Sequence, residues 1–214
     1  MMNAPPLEVK VWAPMAAFVR PEHRVERVSY PLPTPSAARG VLEAIFWKPE
    51  FEYRIRDIAV LKPIRYVGFL RNEVNVKASG ERQNISITDE RSQRHTLALR
   101  DVAYIIRADV AVRPGVEHDP AKYRDQFRRR VARGQYYHHP YLGCREFACD
   151  FGEPDGNEQP IADSRDLGLM LFDLAFGKGE KDPATPIFFP ARLEAGVLHV
   201  PDSLYAQREG VMAS

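Results

Sequence analysis

The sequence lacks the features that mark several specialised classes of protein. Its two cysteines, Cys144 and Cys149, make no disulfide framework, and no second pair is present to complete a zinc site. No apolar run is long enough to cross a bilayer, and the N-terminus lacks a basic start followed by an apolar core. The net charge is only +1, so any nucleic-acid site must come from local clusters of charge. We therefore expect a cytoplasmic protein that needs no metal or cofactor and contacts no membrane.

Alternation of apolar and polar residues predicts a chain rich in β-strands. An apolar fraction of 44% over 214 residues is enough to bury a proper core beneath them. Pro14 should end or bulge the first strand, and the polar, basic stretch 71–94 should form a mobile hairpin arm. A loop is expected at 152–166 and a frayed tail at 207–214. The predicted strands cover residues 7–12, 51–56, 58–61, 64–70, 96–112, 145–151, 167–176 and 186–200.

The first predicted helix has a complete start signal. Thr34 can cap the free amides of the first turn, and Pro35 suits the first helical position because its missing N–H is not needed there. The helix must end before Pro49. Its apolar face consists of Ala38, Val41, Leu42 and Ile45.

The second predicted helix is short and strongly basic. Asp119 is its cap, Pro120 lies in its first turn, and Gly134 stops it after residue 133. Apolar residues recur at four-residue spacing, which gives the helix one inward face. These residues are Tyr123, Phe127 and Val131.

The order of these elements indicates an α+β fold. Strand, helix, strands with a hairpin, strand, helix and strand is close to the βαββαβ order of ferredoxin-like and RRM-like domains. We therefore predict a ferredoxin-like or RRM-like N-terminal domain over residues 1–151, carrying a β-hairpin arm. Residues 152–214 should form a small antiparallel β-sheet region and tail.

Basic and aromatic side chains cluster around both helices, which is typical of a surface that binds a phosphate backbone and unpaired bases. Arginine suits such a surface because its fork donates two parallel hydrogen bonds to phosphate. The alternative for any one arginine is a surface ion pair of little consequence. The predicted RNA-binding residues are Arg20, Arg24, Arg27, Arg39, Arg124, Arg128, Arg129, Tyr136 and Tyr137.

Three long segments, residues 9–51, 60–74 and 122–147, closely resemble the CRISPR-associated RAMP protein of the type I-C (Dvulg) system. The resemblance covers most of the chain up to about Phe151. It implies a RAMP fold and the activity of a pre-crRNA processing endoribonuclease. It also implies two kinds of partner, the repeat hairpin of CRISPR RNA and the other subunits of the type I-C surveillance complex (Cascade).

The resemblance further implies a catalytic trio of tyrosine, lysine and histidine, and this sequence matches it only in part. Lys122 stands at the lysine position, but Phe46 replaces the tyrosine and Tyr123 replaces the histidine. Phenylalanine cannot titrate, and tyrosine is a poor base at neutral pH. Tyr123 can instead be a core residue of the second helix. Tyr123 can still donate a proton or orient a phosphate, and the other side chains that could supply the missing proton transfer are Tyr53, His118, His138 and His139.

We therefore predict metal-independent cleavage of pre-crRNA at its repeat hairpin, by attack of a 2′-hydroxyl that leaves a 2′,3′-cyclic phosphate. Lys122 would stabilise the charge that builds on the phosphate. The protein would keep the 5′ handle as a subunit of the surveillance complex. The alternative is a scaffold that binds RNA without cutting it, which Phe46 and Tyr123 favour. The same basic surface could also bind duplex DNA without sequence preference.

Overall fold

The structure is a computed structural model that describes residues 5–23, 25–74, 90–176 and 184–213. No helix within these ranges is both long and apolar enough to span a membrane. A 3-10 turn at Pro21–His23 precedes the second strand. In chain order the other elements are β1 (Leu7–Ala16), β2 (Arg27–Val28), α1 (Pro35–Ile45), β3 (Phe51–Val60), β4 (Tyr66–Val74), β5 (Arg91–Val112), α2 (Pro120–Ala132), β6 (Asp150–Gly152), β7 (Arg165–Ala175), β8 (Thr185–Glu194), β9 (Val197–His199) and α3 (Ser203–Ala213).

Within the described ranges, strand β5 is the axis of a nine-stranded sheet with the order β6-β1-β5-β3-β9-β8-β7, and β2 and β4 also pair with it. Its 22 residues let it pair with β4 near its start, with β1 in its middle and with β3 at its end. All pairings are antiparallel except the short β2–β5 pair. Helix α1 packs on β3 and β7, while α2 packs on β1, β5 and β6 and also contacts α1. The fold is therefore mixed α and β, as predicted.

Both predicted helices are confirmed together with their caps. The Thr34 hydroxyl accepts a hydrogen bond from the Ala37 amide at 3.2 Å, and the Asp119 carboxylate accepts one from the Ala121 amide at 2.8 Å. Gly134 ends α2 with φ +63°, a conformation that glycine adopts without strain. The predicted apolar face of each helix is buried.

Several strand predictions need correction. Strand β1 continues past Pro14 to Ala16, because the ladder to β5 resumes at Met15 after Pro14 passes opposite Asp101, whose φ is +52°. The strand predicted at 145–151 is reduced to Asp150–Gly152, because the preceding residues turn, with the Phe147 amide donating to the Cys144 carbonyl at 2.9 Å. The two strands predicted at 51–56 and 58–61 are one strand, β3, with a bulge after Ile55.

The hairpin arm is confirmed at its base. Strands β4 and β5 pair from Tyr66 opposite Leu99 to Val74 opposite Arg91. The rest of the predicted arm, residues 75–89, lies outside the described residues. The hairpin form of this part and its mobility therefore stay predictions.

The C-terminal strands join the same sheet, because β9 pairs with β3. The predicted loop before them has no helix or strand over residues 153–164, and Glu158 fastens it to β1 through an ion pair with Lys10 at 2.9 Å. One cluster of buried apolar side chains includes residues from both halves of the chain. The division at residue 151 stays a prediction.

The predicted frayed tail at 207–214 is wrong, because residues 203–213 form helix α3. Arg208 lies inside this helix with only 6% of its surface exposed. Its guanidinium donates to Asp173 of β7 at 3.0 Å and to Glu52 of β3 at 2.5 Å. Arg39 of α1 donates to the same Asp173, at 3.0 Å for one of its two hydrogen bonds. A sequence window around residue 208 contains none of these partners, so the helix depends on long-range ion pairs.

Arg208→Met should destabilise the protein by about 3 kcal/mol, because breaking a buried ion pair leaves its carboxylates poorly compensated. Urea unfolding measures this change. Arg192→Met is the matched control, since the Arg192 side chain is 71% exposed beside Glu194 and should contribute less than about 1 kcal/mol. Equal, small effects of the two substitutions would contradict the assignment.

Candidate functional site

Five buried aromatic rings pack together where α1 ends and α2 begins, and we call them the aromatic cluster. Phe51, the first residue of β3, lies at its centre. The centroid of its ring is 5.6 Å from Phe46, 5.1 Å from Tyr53 and 4.8 Å from Tyr123, and Tyr53 is 5.6 Å from Phe127. Phe46 and Tyr123, the two positions that depart from the implied trio, are thus brought together on either side of one ring.

Lys122 and His118 lie around the Tyr123 ring on its solvent side. The Lys122 Nζ is 5.7 Å from the ring centroid, and the His118 ring approaches edge-on with its centroid at 6.3 Å. Both side chains are exposed. Lys122 forms no ion pair within the described ranges of the chain, so its ammonium can accept an anion from solution.

The Tyr123 hydroxyl and oxygen Oε2 of Glu50 are both buried, and neither makes a hydrogen bond of standard geometry to a described residue. The two groups nevertheless interact with each other. Burial raises the pKa of Tyr123, and the negative charge of Glu50 raises this pKa further. The hydroxyl therefore stays protonated at neutral pH and cannot accept a proton from RNA.

Tyr53, another predicted source of proton transfer, is also held inside the fold. Its hydroxyl donates to the Phe46 carbonyl at 2.7 Å. Burial raises the pKa of Tyr53 well above its ordinary value. Its hydroxyl therefore fastens the end of α1 to β3.

The C-terminal end of α2 and the loop after it donate hydrogen bonds to two carbonyls at the end of α1. Arg130 donates to the Ile45 carbonyl at 2.9 Å, and its guanidinium carbon lies 5.2 Å from the centroid of the Phe46 ring. The amides of Tyr137 and His138 both donate to the Ala44 carbonyl, at 2.9 and 3.2 Å. Sequence reasoning missed the role of Arg130, since its partners lie more than 80 residues away.

His138 and His139 are not brought to Lys122. They follow the C-terminal end of α2, while Lys122 is in its first turn. The rise of the helix separates Lys122 from Arg130 alone by about 12 Å. His139 Nδ1 lies 3.1 Å from the Pro140 carbonyl oxygen, and its ring packs 5.0 Å from Tyr136.

The predicted RNA-binding residues of α2 and its exit loop are all at least partly exposed. Arg128 has a long ion pair with Asp125 at 3.9 Å, and for Arg124 and Arg129 the described residues provide none. Tyr136 and Tyr137 follow on the exit loop, 45% and 82% exposed. We call these five side chains the α2 surface.

Of the other predicted RNA-binding arginines, the three that the structure describes are engaged within the fold. Arg20 lies 4.3 Å from the centroid of the Tyr30 ring, Arg27 pairs with Glu146 and Glu73, and Arg39 pairs with Asp173 and Glu43. Arg24 lies outside the described residues. Contacts of these four arginines with RNA stay predictions.

Neither cysteine is placed for metal binding or nucleophilic chemistry. Both are free thiols, and burial raises the pKa of Cys149 to about 12. Over the ranges that the structure describes, no group of three His, Cys, Asp or Glu side chains could hold a metal ion. The described site therefore consists of Lys122, His118 and the α2 surface above the aromatic cluster.

Comparison with known proteins places this chain in a family. The Cas5d family model, described as a CRISPR-associated protein (Cas_Cas5), matches residues 6–201. A Thermus thermophilus protein named CRISPR pre-crRNA endoribonuclease Cas5d is 48% identical over 216 residues, covering 94% of this chain and 93% of that relative.

Two solved structures share the fold. One, titled as a CRISPR-associated protein, has a TM-score of 0.67 at 21% identity and covers 92% of this chain and 91% of its own. The other, from a CRISPR RNA-guided surveillance complex, has a TM-score of 0.52 at 13% identity and covers 97% of this chain and 98% of its own. The family that the sequence resembles is confirmed, and this chain belongs to the Cas5d family of CRISPR-associated proteins.

Proposed function

We propose that this chain is a metal-independent endoribonuclease that cuts pre-crRNA at its repeat hairpin and then keeps the 5′ handle as a subunit of the surveillance complex. The observation that carries the proposal is Lys122, an exposed cation at the start of α2 that has no ion pair within the described ranges. The name of the Thermus thermophilus relative and the fold shared with a surveillance-complex chain support the reaction and the assembly.

The reaction would need three functions from the protein. A base takes the proton of the 2′-hydroxyl, whose oxygen then bonds to phosphorus. A cation stabilises the extra negative charge on the phosphate, and we assign this role to Lys122. An acid protonates the 5′-oxygen as its bond to phosphorus breaks, which leaves a 2′,3′-cyclic phosphate and a 5′-hydroxyl end.

We assign proton transfer to His118 rather than to the other predicted groups. An imidazole titrates near neutral pH, and the His118 ring lies against the same Tyr123 ring as Lys122. His138 and His139 are at the opposite end of α2, and the hydroxyls of Tyr123 and Tyr53 are buried. Phe46 and Tyr123 then act by holding the two helices together.

The α2 surface is the proposed platform for the RNA backbone and its unpaired bases. For the N-terminal part of the chain, residues 1–151, the proposed fold is a ferredoxin-like RAMP domain. The strand order β6-β1-β5-β3 and the packing of α1 and α2 on these strands support it. Residues 152–214 are the proposed second, smaller part. A cytoplasmic location agrees with partners that are RNA and a CRISPR complex.

The second candidate function is an RNA-binding scaffold without nuclease activity. The burial of both Phe46 and Tyr123, each 2% exposed, favours it, since neither side chain can touch RNA. Such a scaffold could also bind duplex DNA through the α2 surface without sequence preference. Competition between the repeat RNA and an unrelated DNA duplex separates selective from unselective binding.

Lys122→Ala should slow cleavage at least about 100-fold, because a preorganised cation at the phosphate contributes several kcal/mol to catalysis. End-labelled repeat RNA in excess EDTA, under single-turnover conditions, measures the rate. Lys62→Ala is the control, since Lys62 pairs with Asp101 at the far end of β3. RNA carrying a 2′-deoxy sugar at the cut site should remain intact. Tight binding with no cleavage by the unaltered protein would establish the scaffold.

His118→Ala should lower the single-turnover rate about 100- to 1,000-fold while leaving RNA affinity nearly unchanged. Added imidazole should restore part of the activity. RNA with a 5′-bridging sulfur, whose thiolate leaves without a proton, should rescue His118→Ala if His118 is the acid and not if it is the base. The double variant His138→Ala/His139→Ala is the control and should cut at a normal rate. Normal cleavage by His118→Ala together with slow cleavage by the double variant would assign proton transfer to the exit loop instead.

Tyr123→Phe should keep normal cleavage and leave stability within about 1 kcal/mol of the unaltered protein, because the hydroxyl is buried away from RNA and interacts only with Glu50. Thermal or urea unfolding gives the stability, and the same cleavage assay gives the rate. A loss of cleavage of 100-fold or more at unchanged stability would show that the hydroxyl acts in the reaction.

A further inference from the structure

A cleft of about 800 Å³ opens beside the aromatic cluster. It lies between the end of α1, the paired ends of β3 and β5, the end of β7, and α3. Among the described residues that the sequence pattern marked for RNA binding, Arg39 alone lines the cleft. Its lining includes Trp47, Phe51, Arg54, Arg113, Leu174 and Phe176.

The cleft shares one wall residue, Phe51, with the aromatic cluster beside the proposed cleavage site. Phe51 lines it and also packs 4.8 Å from the Tyr123 ring, beside which Lys122 lies. The Arg113 amide donates at 2.9 Å to the carbonyl of Glu50, the residue just before Phe51. Arg113 also belongs to the loop that leads into His118 and α2. Phe51 and the segment 113–118 thus connect the cleft to the elements that carry Lys122 and His118.

Most of the charges in its walls already neutralise one another. Glu43 pairs with Arg39 at 3.4 Å, Arg54 pairs with Glu52 at 3.0 Å, and Arg208 pairs with Asp173 at 3.0 Å. These pairs make the walls polar without a large net charge.

Arg113 is different, because it makes no ion pair with any described residue. It lies at the rim, where β5 has just ended. The cleft thus offers paired walls and one cation that remains available for an anion.

Two large aromatic side chains on the lining are open to solvent. Trp47 is 51% exposed and Phe176 is 60% exposed, and the two come from segments more than 100 residues apart. Flat aromatic faces next to a cation are what proteins use to stack unpaired bases beside a phosphate.

We propose that this cleft receives one unpaired nucleobase of the repeat RNA, from a nucleotide next to the scissile phosphate. The base stacks on Trp47, and Arg113 binds the phosphate attached to it. Withdrawing this base from its neighbours would fix the adjoining phosphate against Lys122. The proposal rests on the proposed function, because the RNA is the substrate assigned there.

The test pairs Trp47→Ala with repeat RNAs that lack one base at a time. Each single-stranded position around the cut site is replaced in turn by an abasic nucleotide, and affinity and single-turnover cleavage are measured in EDTA. At one position, loss of the base should weaken binding by the unaltered protein about tenfold, the size of one stacked base. Trp47→Ala should weaken binding of the intact RNA by the same factor and show no further loss with that abasic RNA.

Two variants show whether the effect belongs to the cleft. Phe188→Ala removes an aromatic ring of similar exposure, 39%, from β8 outside the cleft, and it should leave binding unchanged. Trp47→Tyr keeps a stacking face and should retain most of the affinity, which also shows that the fold tolerates substitution there. Additive losses at every position, or normal binding by Trp47→Ala, would overturn the proposal. Because affinity is scored separately from cleavage, a protein that binds but does not cut still tests the cleft while refuting the nuclease.

Discussion

The last carbonyls of α1 have no partners within their own helix, and their satisfaction by distant groups organises the site. A helix always leaves its final carbonyls free, and burying them unpaired would be costly. The Ala44 carbonyl receives two amides from the exit loop of α2, the Ile45 carbonyl receives the Arg130 guanidinium, and the Phe46 carbonyl receives the Tyr53 hydroxyl. The bonds from Arg130 and the exit loop fix α2 against α1, and the bond from Tyr53 fixes the end of α1 to β3.

This arrangement explains how the chain can depart from the implied trio without losing its fold. Phe46 and Tyr123 both pack on Phe51, so each position contributes to the join between the two helices. Lys122 and His118 stay outside, in contact with solvent. Phe46 and Tyr123 therefore contribute to packing, while Lys122 and His118 carry the proposed chemistry. The division also bears on the cleft, since Phe51 is shared by the buried cluster and the cleft wall.

What the sequence predicted well is what short stretches of chain determine. Thr34 with Pro35 and Asp119 with Pro120 start their helices through bonds to residues two or three positions away, so the pattern alone was sufficient. Helix α3 was missed because Arg208 finds its carboxylates at Asp173 and Glu52, far away in sequence. The predicted site was only partly assembled for the same reason. Lys122 and His118 are close in the chain and both lie beside the Tyr123 ring, whereas His138 lies a helix length away.

The cleavage products test the central claim most directly. Repeat RNA is incubated with the purified protein in excess EDTA, and the new ends are identified by mass spectrometry. Attack by the 2′-hydroxyl with Lys122 and His118 in the assigned roles gives a 2′,3′-cyclic phosphate on one fragment and a 5′-hydroxyl on the other. A 3′-hydroxyl with a 5′-phosphate, or cleavage that appears only when a divalent metal is added, would contradict it.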